Sequence, residues 1–355
     1  MRPTLQTVAD AVGVSRSTVS NAYSRPDQLS PELRRRILDA ARRVGYAGPD
    51  PTARSLRRGR AGAVGVLFTA SLPYAFTDPY AVQFLRGLAE SVQGQETGLL
   101  LIPQSLDDEQ TAVNAVNNAA VDAFCIFCMP DWHPSLAAIE ARGLPMVNGQ
   151  RRPTDGPETL FVGIDEADAT RAAGRHLTGL GHRRVAVIGD HLLAGRTRPV
   201  SLATPDDVAY SGSRDRLRGY YEAFRESGVD WADIITISTD VNSKEAGMAA
   251  AAYALDQAHP PTAVVAFSDI LALGVLDALA ARGLRPGQDV SVIGFDDIPE
   301  AGHAALTTVR QPAADRGRIS GHLLLDPPTD PSGRQIVLPT ELVVRDSTRP
   351  VGTKE

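Results

Sequence analysis

The sequence predicts an all-α helix-turn-helix headpiece followed by an α/β core of two doubly wound parallel-sheet subdomains. Three observations lead there. The first fifty residues hold three short amphipathic helices separated by turns marked with Gly and Pro. From Gly62 onward, short apolar runs alternate with helical stretches, the β-α-β repetition of a parallel sheet covered on both faces. Charge divides at the same place: residues 1–60 carry twelve Arg against five Asp or Glu, about +7, and the remainder carries about −13 within a net charge of −6. A basic head on an acidic body favours nucleic-acid binding by the head alone.

The headpiece is punctuated residue by residue. Thr4 can cap a first helix whose Leu5, Val8, Ala9 and Val12 follow the i, i+3, i+4, i+7 pattern, and Gly13 supplies the left-handed residue that ends it. Ser15 can cap a second helix, with Val14 and Val19 as a hydrophobic staple. At about 100° per residue, Thr18, Val19, Ala22 and Tyr23 share one face, and Arg16, Ser17, Ser20 and Asn21 the other. An open face of small hydroxyls, an amide and an arginine suits a DNA major groove, where Arg reads guanine and Asn reads adenine. Ser30-Pro31 opens a third helix, striped by Leu33, Ile37, Ala40, Ala41 and Val44 and stopped by Gly45.

A length of 355 residues exceeds one core and suggests two or three domains, and 43% hydrophobic residues suffice to bury sheets. No apolar run follows Met1 and no stretch is long enough to span a membrane, so a cytoplasmic protein is expected. Cys125 and Cys128 form a C-x-x-C inside an apolar strand. Residues three apart on a strand point to opposite faces, so neither a metal site nor a disulfide is expected. No cofactor is expected. Residues 50–61 read as a linker: Asp50-Pro51 opens a two-turn helix over 52–58, too short to hold alone in water.

In the core, strands are predicted at 63–68, 99–103, 123–129 and 146–148, with helices at 81–93, 109–119 and 134–141. A second run begins near Val162. It holds strands at 184–189, 234–238, 263–268 and 291–295, and helices after Asp165 and at 216–227, 244–256 and 270–282.

The run Thr4-Leu5-Gln6-Thr7-Val8-Ala9 with Gly13-Val14-Ser15-Arg16-Ser17-Thr18-Val19-Ser20 resembles the headpiece of the LacI/GalR family of lactose-repressor-like transcription factors. Gly45-Tyr46 and Ala53-Arg54-Ser55-Leu56 continue the match. Gly181-His182-Arg183-Arg184, Arg216-Leu217-Arg218-Gly219-Tyr220, Asp289-Val290-Ser291-Val292, Gly294-Phe295-Asp296-Asp297 and Glu341-Leu342-Val343-Val344-Arg345 extend it through the core. The resemblance implies a periplasmic-binding-protein-like core, crossed by the chain three times, here near 161, 311 and 341. The expected division is a headpiece at 1–49, a hinge at 50–61 and a core at 62–350. Within the core, one subdomain comprises 62–161 and 312–340, the other 162–311 and 341–350.

By the resemblance, the candidate DNA contacts are Thr4, Ser15, Arg16, Ser17, Thr18, Ser20, Asn21, Tyr46, Arg54 and Leu56. The hinge segments of two subunits would pair in the minor groove, the leucine matching Leu56 wedging between base pairs. The implied function is a repressor that binds a palindromic operator in double-stranded DNA as a homodimer and answers to a small-molecule effector, a carbohydrate or related metabolite. No heptad tail follows Arg349, so a symmetric dimer is the default. Asn21 stands where many members have arginine, so the preferred operator should differ from the commonest one.

Ligands of such sheets bind outside the carboxyl ends of strands. That rule selects Phe68-Thr69, the loop bearing Tyr74, Phe76 and Asp78, Asp131-Trp132, and Gln150 on the first subdomain. On the second it selects the loop 190–213, Arg216, Ser268-Asp269 and Asp296. Arg216 and Asp296 match the family's effector-binding arginine and aspartate. The candidate effector contacts are therefore Tyr74, Phe76, Asp78, Trp132, Gln150, Arg216, Asp269 and Asp296. Two positions depart from the family's pattern: Gln150 replaces a frequent aspartate, and Ser268 replaces the asparagine usual before Asp269.

Other classes fare worse. The sequence holds no G-x-G-x-x-G, Walker A, G-x-S-x-G or H-E-x-x-H motif; His182 sits in a Gly-His turn before a strand and His191 lies in a loop without an evident acid–base partner, so an enzyme is not expected. A transport-type solute-binding protein would share the body. It would also need an export signal and no basic headpiece, and the sequence offers the reverse.

Overall fold

The computed structural model describes residues 3–49, 59–69, 72–152, 154–190, 192, 198–200, 204–208 and 210–352. It divides into two compact units, Met1–Gly62 and Ala63–Glu355, and each is taken by itself.

The first unit is three helices: α1 (Leu5–Val12), α2 (Arg16–Ser24) and α3 (Pro31–Val44). Thr4 and Thr7 form a reciprocal capping box, Ser15 Oγ accepts from Thr18 N at 3.1 Å, and Ser30 Oγ accepts from Leu33 N at 3.2 Å. Gly13 and Gly45 end α1 and α3 at φ 75° and 73°, a conformation that costs any residue with a Cβ. Val8, Ala9, Val19, Ala22, Ile37, Ala40 and Ala41 close a small core, with Val14, Tyr23 and Tyr46 packed at its margin.

Among the described residues the second unit holds two sheets. The first half contributes β1 (Ala63–Phe68), α4 (Tyr74–Thr77), α5 (Pro79–Val92), β2 (Gly98–Pro103), α6 (Glu109–Asn118), β3 (Ala123–Cys128), α7 (Pro134–Ala141), β4 (Met146–Asn148) and β5 (Leu160–Ile164). The second half contributes α8 (Glu166–Gly179), β6 (Val185–Asp190), β7 (Arg198–Val200), α9 (Ser211–Glu226), β8 (Ile235–Thr239), α10 (Lys244–Leu255), β9 (Ala263–Ala266) and α11 (Asp269–Ala281). β10 (Ser291–Asp296), α12 (Pro299–His303) and β11 (Thr307–Arg310) follow. The chain then returns to the first half through α13 (Ala313–Leu325) and β12 (Gln335–Leu338), and crosses again to β13 (Glu341–Val343).

The strand orders are β12-β5-β4-β3-β1-β2, all parallel, and β13-β11-β10-β9-β6-β8-β7, with antiparallel strands only at its two edges. The first crossing differs from the expected place near 161. Leu160–Ile164 is buried throughout and pairs in parallel with β4, Val147 opposite Leu160, so it belongs to the first sheet and the chain leaves at Asp165. The helix expected at 216–227 begins earlier, at Ser211. The Cys125 and Cys128 thiols are free; burial pushes them up to about 12 and about 11, and both stay protonated at neutral pH.

Helices α5 and α13 cover the first sheet and meet without room for a side chain. A Cβ on Gly87 would lie 1.8 Å from the Ala314 carbonyl oxygen. Gly87→Ala is expected to destabilise the chain by about 2–3 kcal/mol, since neither backbone can retreat. Urea unfolding followed by circular dichroism measures it, and an unchanged midpoint would show that the helices can part.

Candidate functional site

The headpiece offers one polar helix face. Arg16 and Ser17 are exposed on α2 and Asn21 is half-buried, its Nδ2 donating to Gln28 Oε1 at 3.4 Å. The Ser15 hydroxyl lies 2.7 Å from that of Ser17 and 2.8 Å from that of Thr18, so the N-terminal turn carries a linked cluster of hydroxyls. Thr4 is exposed at the start of α1 within its capping box. Ser20 departs from the expected open face: it is buried. It lies one residue beyond Val19, on the flank of the apolar stripe, and is small enough to be covered. Tyr46 is half-buried and meets Tyr23 edge-on, ring centroids 6.1 Å apart. Arg54 and Leu56, with the rest of 50–58, lie outside the described residues.

In the core, the carboxyl ends of the strands of both halves face one cavity of about 550 Å3. Phe68, Tyr74, Tyr80, Phe127 and Gln150 line it from the first half, and Glu166, Asp190, Arg216, Asn242, Phe267 and Asp296 from the second. Gln311 and Arg316 reach it from the second crossing and the helix that follows.

Arg216, in the second turn of α9, is the centre of the polar wall. Its Nε donates to Glu166 Oε2 at 2.8 Å, an Nη donates to the Phe267 carbonyl, and its guanidinium carbon sits 3.8 Å from the Phe295 ring centroid. Burial disfavours its charge, but Glu166 and Asp296 outweigh burial and raise its pKa. Asp296 ends β10 at φ 119°, a left-handed conformation rare for a residue with a Cβ, and Asp297 follows at φ 56°. Gln311 Nε2 donates to Asp296 Oδ1 at 2.5 Å, while Gln311 Oε1 is buried without a partner among the described residues. Burial, then the neighbouring Asp269, raise the Asp296 pKa well above the carboxyl range, against the pull of Arg216.

Of the expected effector contacts, the cavity brings together Tyr74, Gln150, Arg216 and Asp296. The others stand elsewhere. Phe76 is 65% exposed, because at about 100° per residue it points away from the face that Tyr74 and Thr77 turn to the cavity. Trp132 is 50% exposed and is not part of the wall. Asp269 is fully buried; it accepts from Thr308 Oγ1 at 2.6 Å and from Ile298 N at 2.9 Å, which makes it an anchor beneath the site. Burial pushes its pKa up to about 7. Asp78 is buried one step behind the wall and caps α5, accepting from Ala81 N at 2.8 Å. Residues 191, 193–197, 201–203 and 209 of the loop 190–213 lie outside the described residues. Glu166, Asn242, Gln311 and Arg316 were missed. Three of them follow β5, β8 and β11, so the strand-end rule, applied to every strand, would have selected them; Arg316 lies one turn into the helix after β11.

The raised Asp296 pKa has a consequence with a definite sign. The folded chain holds this proton at a pH where the unfolded chain has released it, so the group's contribution to stability falls as pH rises above the ordinary carboxyl range. Asp296→Asn keeps the acceptor for Gln311 and removes the titration. Urea midpoints from pH 5.5 to 8 are expected to be higher in the variant at the alkaline end and flatter across the range. Parallel curves would place the proton elsewhere.

The comparisons agree with this geometry at both ends of the chain. Residues 4–48 match the family of bacterial regulatory proteins, lacI family, and residues 175–348 match the periplasmic binding protein-like domain. An HTH-type transcriptional regulator of Mycolicibacterium smegmatis is 40% identical over 96% of this chain and 95% of its own. A LacI-family transcriptional regulator of Corynebacterium glutamicum has a similar structure, with 34% identity, 99% and 100% of the two chains covered, and a TM-score of 0.74. The regulator CelR in complex with cellobiose is similar at 28% identity, 98% and 100% coverage, and a TM-score of 0.68. A headpiece with an open polar helix, a two-sheet core closed around a polar cavity, and these likenesses over nearly the whole length identify the chain as a DNA-binding transcriptional regulator of the LacI family, and not an enzyme.

Proposed function

We propose that the chain is a repressor that binds a palindromic operator as a homodimer and is controlled by an uncharged sugar or related polyol held in the core cavity. The observation that carries the effector reading is the Arg216 guanidinium and the Asp296 carboxyl together on the second-half wall of a cavity lined also by Phe68, Tyr80 and Phe127. Such a pair holds vicinal hydroxyls at two points, and rings cover the apolar face of a sugar. CelR, with its bound cellobiose, supports a carbohydrate. A thermal-shift screen of the full chain against mono- and disaccharides and cyclic polyols tests it, since binding to the folded state raises the melting temperature. Asp296→Ala is expected to abolish the shift given by any hit while DNA binding persists. An unchanged affinity by calorimetry would remove Asp296 from the site.

On the DNA side, Arg16, Ser17 and Asn21 are the proposed base readers, with Ser15, Thr18 and Thr4 nearer the phosphates. By family resemblance, Arg54 and Leu56 belong to the minor groove. Asn21→Ala is expected to relax preference at particular base pairs by about 1–3 kcal/mol in gel shifts on operator variants. A loss spread evenly over all variants would make Asn21 a phosphate contact. Failure of palindromic DNA to shift while a ligand binds the core would favour a solute-binding role.

A further inference from the structure

Asn242 follows β8 in the second half, yet its side chain reaches the first. Its Nδ2 donates to Tyr74 Oη at 3.2 Å and to Asp78 Oδ2 at 3.3 Å. Its Oδ1 accepts from Ser268 Oγ at 2.5 Å. Both flanking groups are helix caps. Asp78 caps α5 through Ala81 N at 2.8 Å, and Ser268 caps α11 through Leu271 N at 3.1 Å. One amide thus joins the N-terminal caps of two helices that belong to opposite halves. Ser268 stands where the family usually has asparagine, and here an asparagine from another strand end meets it.

The geometry points to Asn242 as a closure clamp, a positioning residue that sets how far the two halves can part around the cavity. An amide is the group this position needs. It must give protons to a phenol and a carboxylate on one side and take one from a hydroxyl on the other, and Asn presents both ends. Among the described residues, other bridges between the halves at the cavity rim are single contacts, Ser211 Oγ to Gln150 Oε1 at 3.3 Å and Arg214 to Asp131 at 3.6 Å, whereas Asn242 reaches two groups of the first half at once. The clamp draws its regulatory meaning from the effector reading above, but its test needs no effector.

Asn242→Asp keeps the acceptor for Ser268, removes the donor and sets a second carboxylate against Asp78. Small-angle scattering of the full chain is expected to show a larger radius of gyration. Hydrogen exchange is expected to be roughly tenfold faster at 74–82 and 266–272, the scale of one to two net hydrogen bonds. Adding Asp78→Asn reverses the polarity of the bond: the new amide donates to the new carboxylate, and Asn still caps α5. The double variant is expected to return to wild-type scattering and exchange, a rescue that a merely packed side chain would not show. Wild-type behaviour of Asn242→Asp overturns the proposal, and so does an expanded single variant that Asp78→Asn fails to restore. If Asn242→Asp does not fold, Tyr74→Phe takes its place, with faster exchange at 74–82 expected and no change overturning the clamp.

Discussion

The Arg216 guanidinium between the two sheets is matched by a carboxylate, and much of the core's arrangement follows from that pairing. Arg216 finds Glu166 in the first turn of α8, where the helix dipole already favours a carboxylate. Leaving either partner alone would cost about 3–5 kcal/mol. The pair therefore fixes α9 against α8, and the backbones comply. Thr170 Oγ1 donates to the Arg216 carbonyl at 2.9 Å, and a Cβ on Gly219 would stand 2.1 Å from the Ala167 carbonyl oxygen. Arg316 repeats the theme in the first half with neutral partners, donating to Tyr80 Oη at 2.7 Å and to the Val162 carbonyl at 3.2 Å. Each arginine's anchor lies within a turn or so of a place where the chain changes halves. The cavity is thus braced at the joints between the subdomains.

The same economy governs the corner at the end of β10. Asp296 and Asp297 hold successive left-handed conformations, a strain that persists only where the surroundings over-determine it. Arg345 and Arg310 both donate to the Asp297 carboxylate, at 2.6 and 2.7 Å, and Gln311 holds Asp296. Beneath them Asp269 ties the next turn through Ile298 N. The carboxyl offered to the cavity is aimed by residues from three other segments. It is a cavity-lining group kept in a conformation that the free chain would avoid.

What could be read in the sequence was what local chemistry dictates. Caps, left-handed glycines and the 3.6-residue period located the headpiece helices, because each depends on neighbours within four residues. The strands of the core were legible for the same reason, as apolar runs bounded by turns. The first crossing was misplaced because Leu160–Ile164 is a good strand for either sheet, and only its pairing with β4 decides. Among the expected site residues, strand ends and family likeness pointed to Arg216 and Asp296, which line the cavity. Phe76, Trp132 and Asp269 went astray because nearness in sequence to a cleft does not set the direction of a side chain. Ser20 failed on the same ground: it borders the apolar stripe of its helix and is buried. Asn242 and Gln311 act across long sequence separations, where no local pattern speaks.

The threefold exchange of chain between the halves bears on synthesis. The first sheet lacks its last strand until Gln335–Leu338 pairs with Phe161–Ile164, and the second waits for Glu341–Val343 to close against β11. Helix α13, which lies along α5, likewise comes late. Neither half can finish before these late segments are made, so high contact order defers core folding until they emerge. The headpiece closes its own core with residues no later than Tyr46. A growing chain therefore carries a positively charged module with its own core closed before either sheet of the body can be completed.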